Sequence, residues 1–148
     1  MIVADTNLIA YLLISGERTE QAERAYRRDP GWAAPLLWRS EFRNILSTYM
    51  RRGLLSLDRS AQLAEEAELL MNQREFEIRT REVLSLASAS RCSAYDCEFV
   101  ALAQHLGVPL VTCDGAILSA FPAIAHSLEA FVRTGPIAKG SELIVPNS

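Results

Sequence analysis

Short apolar runs alternate with longer amphipathic segments along most of this chain. The runs at residues 1–4, 32–35, 76–78, 109–111 and 124–126 are too brief for helices and predict buried strands, the last of them at an edge. Between them, apolar residues recur at spacings of three and four, which predicts helices. The alternation indicates an α/β fold, and we expect a three-layer α/β/α domain with a mostly parallel sheet of four to five strands.

The helix boundaries follow from turn and capping residues. Asp58 and Thr80 are expected to cap helices, Ser93 fits the start of another, and Gly53 and Gly107 follow the last apolar position of theirs. The predicted helices cover residues 6–13, 17–28, 37–52, 59–72, 80–87, 93–106 and 116–121.

Length and composition favour one domain. With 148 residues and 49% hydrophobic content, the chain can bury a single core, and we expect a domain over residues 1–134 followed by a tail over 135–148. The three cysteines form no C-x-x-C pair, which favours reduced thiols and a cytoplasmic location. No apolar segment is long enough to span a membrane. The net charge of −3 argues only weakly against nucleic acid, because fourteen of the fifteen basic residues are Arg.

Three of the five aspartates occupy unusual places. Asp5 and Asp114 each follow a predicted strand, and Asp96 lies in the first turn of the most apolar helix, whereas Asp29 and Asp58 sit in ordinary turns or caps. Ligands of open α/β sheets bind outside the carboxyl ends of the strands, so two of these side chains point to that crevice. Each of the three also fits a helix cap, and only the set favours chemistry.

A fourth acid is Glu41, at the boundary of the apolar stripe on the third helix. Exposed acids are the rule, so alone it is better explained as a surface residue. Carboxylates held close together raise one another's pKa unless a cation lies between them, and oxygen ligands suit Mg²⁺ or Mn²⁺. The acids therefore favour metal-assisted hydrolysis of phosphodiesters.

Other acid-rich or phosphate-binding folds fit poorly. A phosphoaspartate receiver needs a lysine after a late strand, and the one lysine is Lys139. A haloacid-dehalogenase-type phosphatase needs Asp-x-Asp where this chain has Asp5-Thr6-Asn7. Glycine-rich phosphate loops are absent. A metal-dependent phosphodiesterase and a non-catalytic α/β module remain.

At the level of motifs, the chain resembles the PIN-domain ribonucleases, and among them the VapC-type toxins of VapBC toxin–antitoxin pairs. The matching segments are residues 5–7 (DTN), 40–44 (SEFRN), 95–103 (YDCEFVALA) and 107–114 (GVPLVTCD). The resemblance implies a metal-dependent endoribonuclease with Asp5, Glu41, Asp96 and Asp114 as its catalytic acids. In it, Asp5, Asp96 and Asp114 bind Mg²⁺ or Mn²⁺, and Glu41 positions or deprotonates the attacking water.

The resemblance also implies supporting residues and partners. Asn7 and Thr112 match polar positions that the family places around the site. From their place on the third helix, Arg39 and Arg43 are weaker candidates for contacts with RNA. Glu98 lies about 200° around its helix from Asp96, so we expect it at the surface or an interface. The implied partners are an RNA substrate, a cognate VapB-like antitoxin and a second copy in a homodimer. Two alternatives stay open: a PIN nuclease of RNA processing without an antitoxin, and a PIN-like binding module without catalysis.

Overall fold

The computed structural model describes residues 1–133, so the predicted tail at 135–148 lies outside the described residues. Helices and strands alternate as the sequence predicts. The strands are β1 (Ile2–Ala4), β2 (Trp32–Pro35), β3 (Glu75–Phe76), β4 (Leu110–Thr112) and β5 (Ala125–Ser127). The helices are α1 (Thr6–Leu13), α2 (Thr19–Arg28), α3 (Trp38–Arg51), α4 (Leu57–Leu70), α5 (Thr80–Ser88), α6 (Ala94–Leu106), α7 (Gly115–Ala120) and α8 (Leu128–Arg133).

All five strands are parallel, in the order β3-β2-β1-β4-β5. Every residue of β1, β2 and β4 is buried, as expected for parallel strands covered by helices on both faces. Helices α1 to α4 pack on one another, and α5 packs on α6. The predicted three-layer α/β/α fold with a parallel sheet is confirmed.

The strand order places a topological switch point between β1 and β4. From β1 the chain moves outward to β2 and β3, then crosses to β4 on the other side of β1 and continues to β5. Val3 pairs with Leu110 and Ala4 with Val111, so the two strands end at nearly the same level. Open α/β sheets bind ligands at such a point.

Several predicted boundaries are confirmed, and others are wrong in instructive ways. Gly107 ends α6 with a positive φ of 67°, and Ser93 caps its start. The cap of α4 is Ser56 instead of Asp58, whose carboxylate lies in the first turn. Thr80 is the first residue of α5 and gives it no side-chain cap. Helix α8 had no counterpart in the predicted elements.

The described residues form one hydrophobic core around the sheet. Its largest buried side chains include Trp32, Trp38, Phe42 and Phe99 from both helical layers and β2. All three cysteines are free thiols, and two of them are buried. Within residues 1–133, no helix is long and apolar enough to cross a bilayer.

Candidate active site

Asp5 and Asp114 meet at the end of the β1–β4 pair. The Asp5 backbone N–H donates to the Val111 carbonyl (3.1 Å), which continues the ladder past the end of β1. The Thr112 hydroxyl donates to Asp5 Oδ2 at 2.5 Å and accepts from the Asp114 backbone N–H at 3.0 Å. Thr112 is fully buried, so a single enclosed hydroxyl joins the two strand ends. The sequence had placed it only as a polar residue near the site.

Asp114 is both a cap and a pocket residue. Its Oδ1 accepts from the backbone N–H groups of Ala116 (2.8 Å) and Ile117 (3.1 Å) at the start of α7. The same carboxylate lines the pocket described below. Capping fixes the orientation of the side chain, so the structural role suggested by the sequence does not compete with a place in the site.

Asp5 occupies the N-cap position of α1 without acting as a cap. Its side chain makes no capping hydrogen bond to that helix. The carboxylate is instead directed to Thr112 across the strand pair. The alternative of a simple helix cap is therefore wrong for Asp5.

Glu41 is held against α1 by the residue that follows Asp5. The Thr6 hydroxyl donates to Glu41 Oε1 at 2.6 Å, and Thr6 itself is buried. Glu41 is half-buried, which excludes the freely solvated surface position that was its simplest explanation. Sequence reasoning missed Thr6, because this contact spans 35 positions and appears only after α1 and α3 pack together.

Asp96 reaches the site from the opposite helical layer. Ser93 Oγ accepts from the Asp96 backbone N–H (3.1 Å), which is the capping arrangement expected from the S-x-x-D pattern. Helix α6 contacts β1, β2 and β4, so its first turn is fixed relative to the ends of the central strands. Asp96 is half-buried there.

These side chains line one pocket of about 400 Å³. Its walls come from the end of β1, α1, α3, the first turn of α6 and the start of α7. The lining residues are Asp5, Thr6, Asn7, Leu37, Ser40, Glu41, Asn44, Ile45, Tyr95, Asp96 and Asp114. The structure thus brings together all four acids singled out in the sequence, with Asn7 beside them.

Burial and nearby negative charges raise the pKa of three pocket carboxylates, Asp5, Glu41 and Asp96. Desolvation is the main cause that raises the pKa of Asp5, Glu41 and Asp96, and nearby negative charges add to it. Hydrogen bonds from Thr112 to Asp5 and from Thr6 to Glu41 oppose the rise in pKa. A cation in the pocket would relieve the repulsion that the protein leaves in place.

The donor set suits a hydrated Mg²⁺ or Mn²⁺. All four candidate donors are carboxylates, the ligand type that these ions prefer. Among residues 1–133, no three Asp, Glu, His or Cys side chains surround one point closely enough to hold a metal ion. Mg²⁺ commonly uses one or two carboxylates and completes its shell with water and substrate phosphate. The arrangement fits such an open site, and direct binding by all three aspartates stays a prediction.

The other candidates lie outside the pocket. Arg39 makes a two-pronged pair with Glu75, with Nε to Oε1 at 2.6 Å and Nη2 to Oε2 at 2.8 Å, and Arg43 is exposed on α3. Neither lines the acid pocket. Glu98 is half-buried and does not line the acid pocket, and its negative charge adds to the raised pKa of Glu41.

Comparison with known proteins identifies the family of this chain. The PIN domain family model matches residues 2–122. Ribonuclease VapC3 of Pyrobaculum aerophilum is 33% identical over 127 residues, which cover 83% of this chain and 96% of that protein.

Solved structures agree at the level of the fold. The FitAcB structure from Neisseria gonorrhoeae has a TM-score of 0.69 at 17% identity, over 87% of this chain and 99% of that one. A toxin–antitoxin complex from Klebsiella pneumoniae has a TM-score of 0.62 at 20% identity, over 86% and 98% of the two chains. Family model, relative and fold agree, and the chain belongs to the PIN-domain family.

Proposed function

We propose that this protein is a divalent-metal-dependent endoribonuclease and the toxin of a toxin–antitoxin pair. The observation that carries the proposal is the convergence of Asp5, Glu41, Asp96 and Asp114 on one pocket at the switch point of the sheet. The similarity to a ribonuclease of the VapC type supports RNA as the substrate.

In the proposed site, Asp5, Asp96 and Asp114 would hold Mg²⁺ or Mn²⁺, and water and the RNA phosphate would complete the ligand shell. A bound ion of this kind neutralises charge on the phosphate and lowers the pKa of a water ligand. Thr112 fixes one oxygen of Asp5, and the start of α7 fixes one oxygen of Asp114. The carboxylates are thereby oriented before substrate arrives, which reduces the reorganisation needed for binding.

Glu41 is assigned the proton-transfer role. The Thr6 hydroxyl engages Oε1, which leaves Oε2 to accept a proton from the water that attacks the phosphorus atom. The P–O bond to the leaving ribose oxygen breaks in the same displacement, and that oxygen takes up a proton from solvent water. Burial raises the pKa of Glu41 toward neutral pH. A carboxylate with such a pKa is a more effective general base than an ordinary exposed glutamate. Asn7 lines the same pocket, and we assign it a donor role toward the substrate or water.

The proposed partners are those expected of a VapC-type toxin. The resemblance to VapC-type toxins and the shared fold of a solved toxin–antitoxin complex support a cognate antitoxin that covers the acid pocket. A cationic group of the antitoxin, such as an arginine, would satisfy the repelling carboxylates. We further propose a cytoplasmic homodimer, as expected for toxins of this type.

The test compares the protein with two matched variants in growing cells. Asp96→Asn removes one charge from the pocket, and Asp58→Asn removes one charge from the exposed first turn of α4. Growth arrest and discrete new RNA 5′ ends are expected with the wild type and Asp58→Asn, and neither with Asp96→Asn. Arrest by all three proteins without new RNA ends would contradict the nuclease assignment.

A second expression experiment distinguishes a toxin from an RNA-processing nuclease. Co-expression of the small gene adjacent to that of the nuclease should abolish both arrest and cleavage if the pair is a toxin and its antitoxin. Cleavage that continues at the same sites in its presence would favour an RNA-processing enzyme.

A further inference from the structure

A second cavity opens beside the acid pocket. It has a volume of about 310 Å³, within the range of roughly 300–1,000 Å³ found for small-molecule sites. Asn7 and Ile45 line both cavities, so the two share a wall. The remaining lining residues are Ala10, Tyr11, Ile14, Gly16, Glu17, Arg18, Thr19 and Tyr49.

Arg18 lines the second cavity and contacts the residue that precedes Asp114. Its guanidinium group lies over the ring of Tyr11, 5.5 Å from the ring centre, and donates from Nη1 to Cys113 Sγ at 2.9 Å. Cys113 directly precedes Asp114 in the chain. Within residues 1–133, Arg18 is the one cationic side chain that lines either cavity.

Arg18 differs from the arginines first considered for RNA contacts. Arg39 is engaged by Glu75 and Glu68, whereas no carboxylate lies within ion-pair distance of Arg18 in the described part of the chain. Glu17 is the acid of this cavity, and it is exposed. Since its guanidinium group has no carboxylate partner there, the donors of Arg18 other than the one that contacts Cys113 are available for a phosphate.

The segment that carries Arg18 is held in place by the side chain of Thr19, which bonds to the backbone on both sides of it. The Thr19 hydroxyl donates to the Tyr11 carbonyl at 2.7 Å and accepts from the Gly16 N–H at 2.9 Å. These bonds tie the connection between α1 and α2 to the last turn of α1. The arginine and the Tyr11 ring are therefore presented together before any ligand binds.

We propose that this second cavity is the subsite for the nucleotide next to the cleaved phosphodiester. In it, Arg18 contacts the neighbouring phosphate, and a base stacks on Tyr11 or Tyr49. Both tyrosines are half-buried and line the cavity, and aromatic rings bind bases of any sequence through their faces. The subsite rests on the proposed function, because it takes the substrate of the acid pocket.

The test measures binding separately from cleavage. A fluorescein-labelled single-stranded RNA of mixed sequence is titrated with Asp96→Asn protein in EDTA, and anisotropy is recorded at several salt concentrations. Arg18→Ala in that background should weaken binding about tenfold and reduce the slope of log K against log salt by about one. Arg24→Ala, on the exposed side of α2, should change binding far less.

Tyrosine variants separate stacking from stability. Tyr11→Leu and Tyr49→Leu should each weaken RNA binding about tenfold, or by less if the two tyrosines contact the same base. Tyr11→Phe and Tyr49→Phe should bind RNA as the tyrosines do, because stacking needs only the aromatic ring. Thermal melts of all variants identify any that fail to fold, in which case Arg18→Lys and the phenylalanine variants carry the comparison.

The outcomes distinguish the two proposals. Cleavage by the wild type together with unchanged RNA binding by Arg18→Ala and both leucine variants would overturn the subsite and leave the nuclease intact. Unchanged RNA binding with loss of antitoxin capture would assign the cavity to a polypeptide and also overturn it. Absence of cleavage by the wild type with either Mg²⁺ or Mn²⁺ would remove the nuclease and the subsite with it.

Discussion

Replacement of Thr112 by valine tests whether one buried hydroxyl holds the two strand ends in register. Valine keeps the shape of threonine but removes the donor to Asp5 and the acceptor for the Asp114 N–H. Since Thr112 is 0% exposed, water cannot replace the lost bonds without rearrangement. The substitution therefore removes hydrogen bonds that support the site and leaves all four acidic residues unchanged.

The expected cost follows from the two bonds. A hydrogen bond to a charged group contributes about 1.5–3 kcal/mol, and an orphaned buried N–H costs about 1–3 kcal/mol. The added methyl group offsets roughly 1 kcal/mol through burial of apolar surface. The net loss is about 1.5–5 kcal/mol, which lowers Tm by roughly 5–20 °C for a domain of this size.

The loss should also depend on pH. The Thr112 bond lowers the pKa of Asp5, so its removal raises that pKa further above the usual value. A raised carboxyl pKa gives stability that is present below the unfolded pKa and lost as pH rises through the folded pKa. The deficit of Thr112→Val should therefore be largest near pH 7 and smaller near pH 4.

Thermal unfolding followed by circular dichroism at both pH values is the assay. Thr48→Val is the matched control, because the Thr48 hydroxyl bonds only to the Asn44 carbonyl of its own helix, and it should lie within about 0.5 kcal/mol of the wild type. Thr112→Ser should recover most of the loss. A Tm of Thr112→Val within about 2 °C of the wild type at pH 7 would be too small a change for the loss of two buried hydrogen bonds. That result would refute the structural role of the Thr112 hydroxyl.

Three further predictions concern charge. Asp96→Asn should raise Tm at pH 7, because burial and the charge of Asp114 raise the pKa of Asp96, so that its charged form destabilises the folded state. The gain in Tm should vanish below the unfolded pKa of 3.8. A variant that is less stable than the wild type at pH 7 would contradict this prediction. The rate of RNA cleavage should fall as pH decreases, because Glu41 must be ionised to act as a base. The midpoint should lie above 4.5, the pKa of an ordinary glutamate, and Glu41→Gln should lose activity at every pH. A cleavage rate that stays constant down to pH 4 would contradict the assignment of Glu41 as the base. Arg39→Ala should lower the free energy of unfolding by about 1 kcal/mol in urea titrations, because the partly exposed ion pair with Glu75 is lost. RNA cleavage per folded molecule should stay at the wild-type level. A loss of cleavage would instead identify Arg39 as an RNA contact.

The sequence was informative where local pattern and chain direction decide the structure. An apolar run ending in Asp5, and another ending before Asp114, sufficed to place two carboxylates at the strand ends of a parallel sheet. Ser93 and Gly107 bound α6 for purely local reasons, namely a side-chain cap and a left-handed backbone. Such features depend on a few neighbouring residues and are legible without coordinates.

Contacts between distant segments were not legible. Thr6 and Glu41 are 35 positions apart, and only the packing of α1 on α3 brings the hydroxyl to the carboxylate. Arg39 looked available for RNA until β3 placed Glu75 beside it. Arg18 had no pattern to mark it, because its position beside Cys113 depends on a contact across 95 positions.

The central claim is that the converging carboxylates bind a divalent ion, and Mn²⁺ binding measured by electron paramagnetic resonance tests it most directly. Free Mn²⁺ is titrated with the wild type, Asp96→Asn, Asp5→Asn and Asp58→Asn. The wild type and Asp58→Asn should remove the free-ion signal in proportion to protein, and the two pocket variants should bind at least tenfold more weakly. Equal Mn²⁺ binding by all four proteins, or none by the wild type with RNA present, would contradict the account.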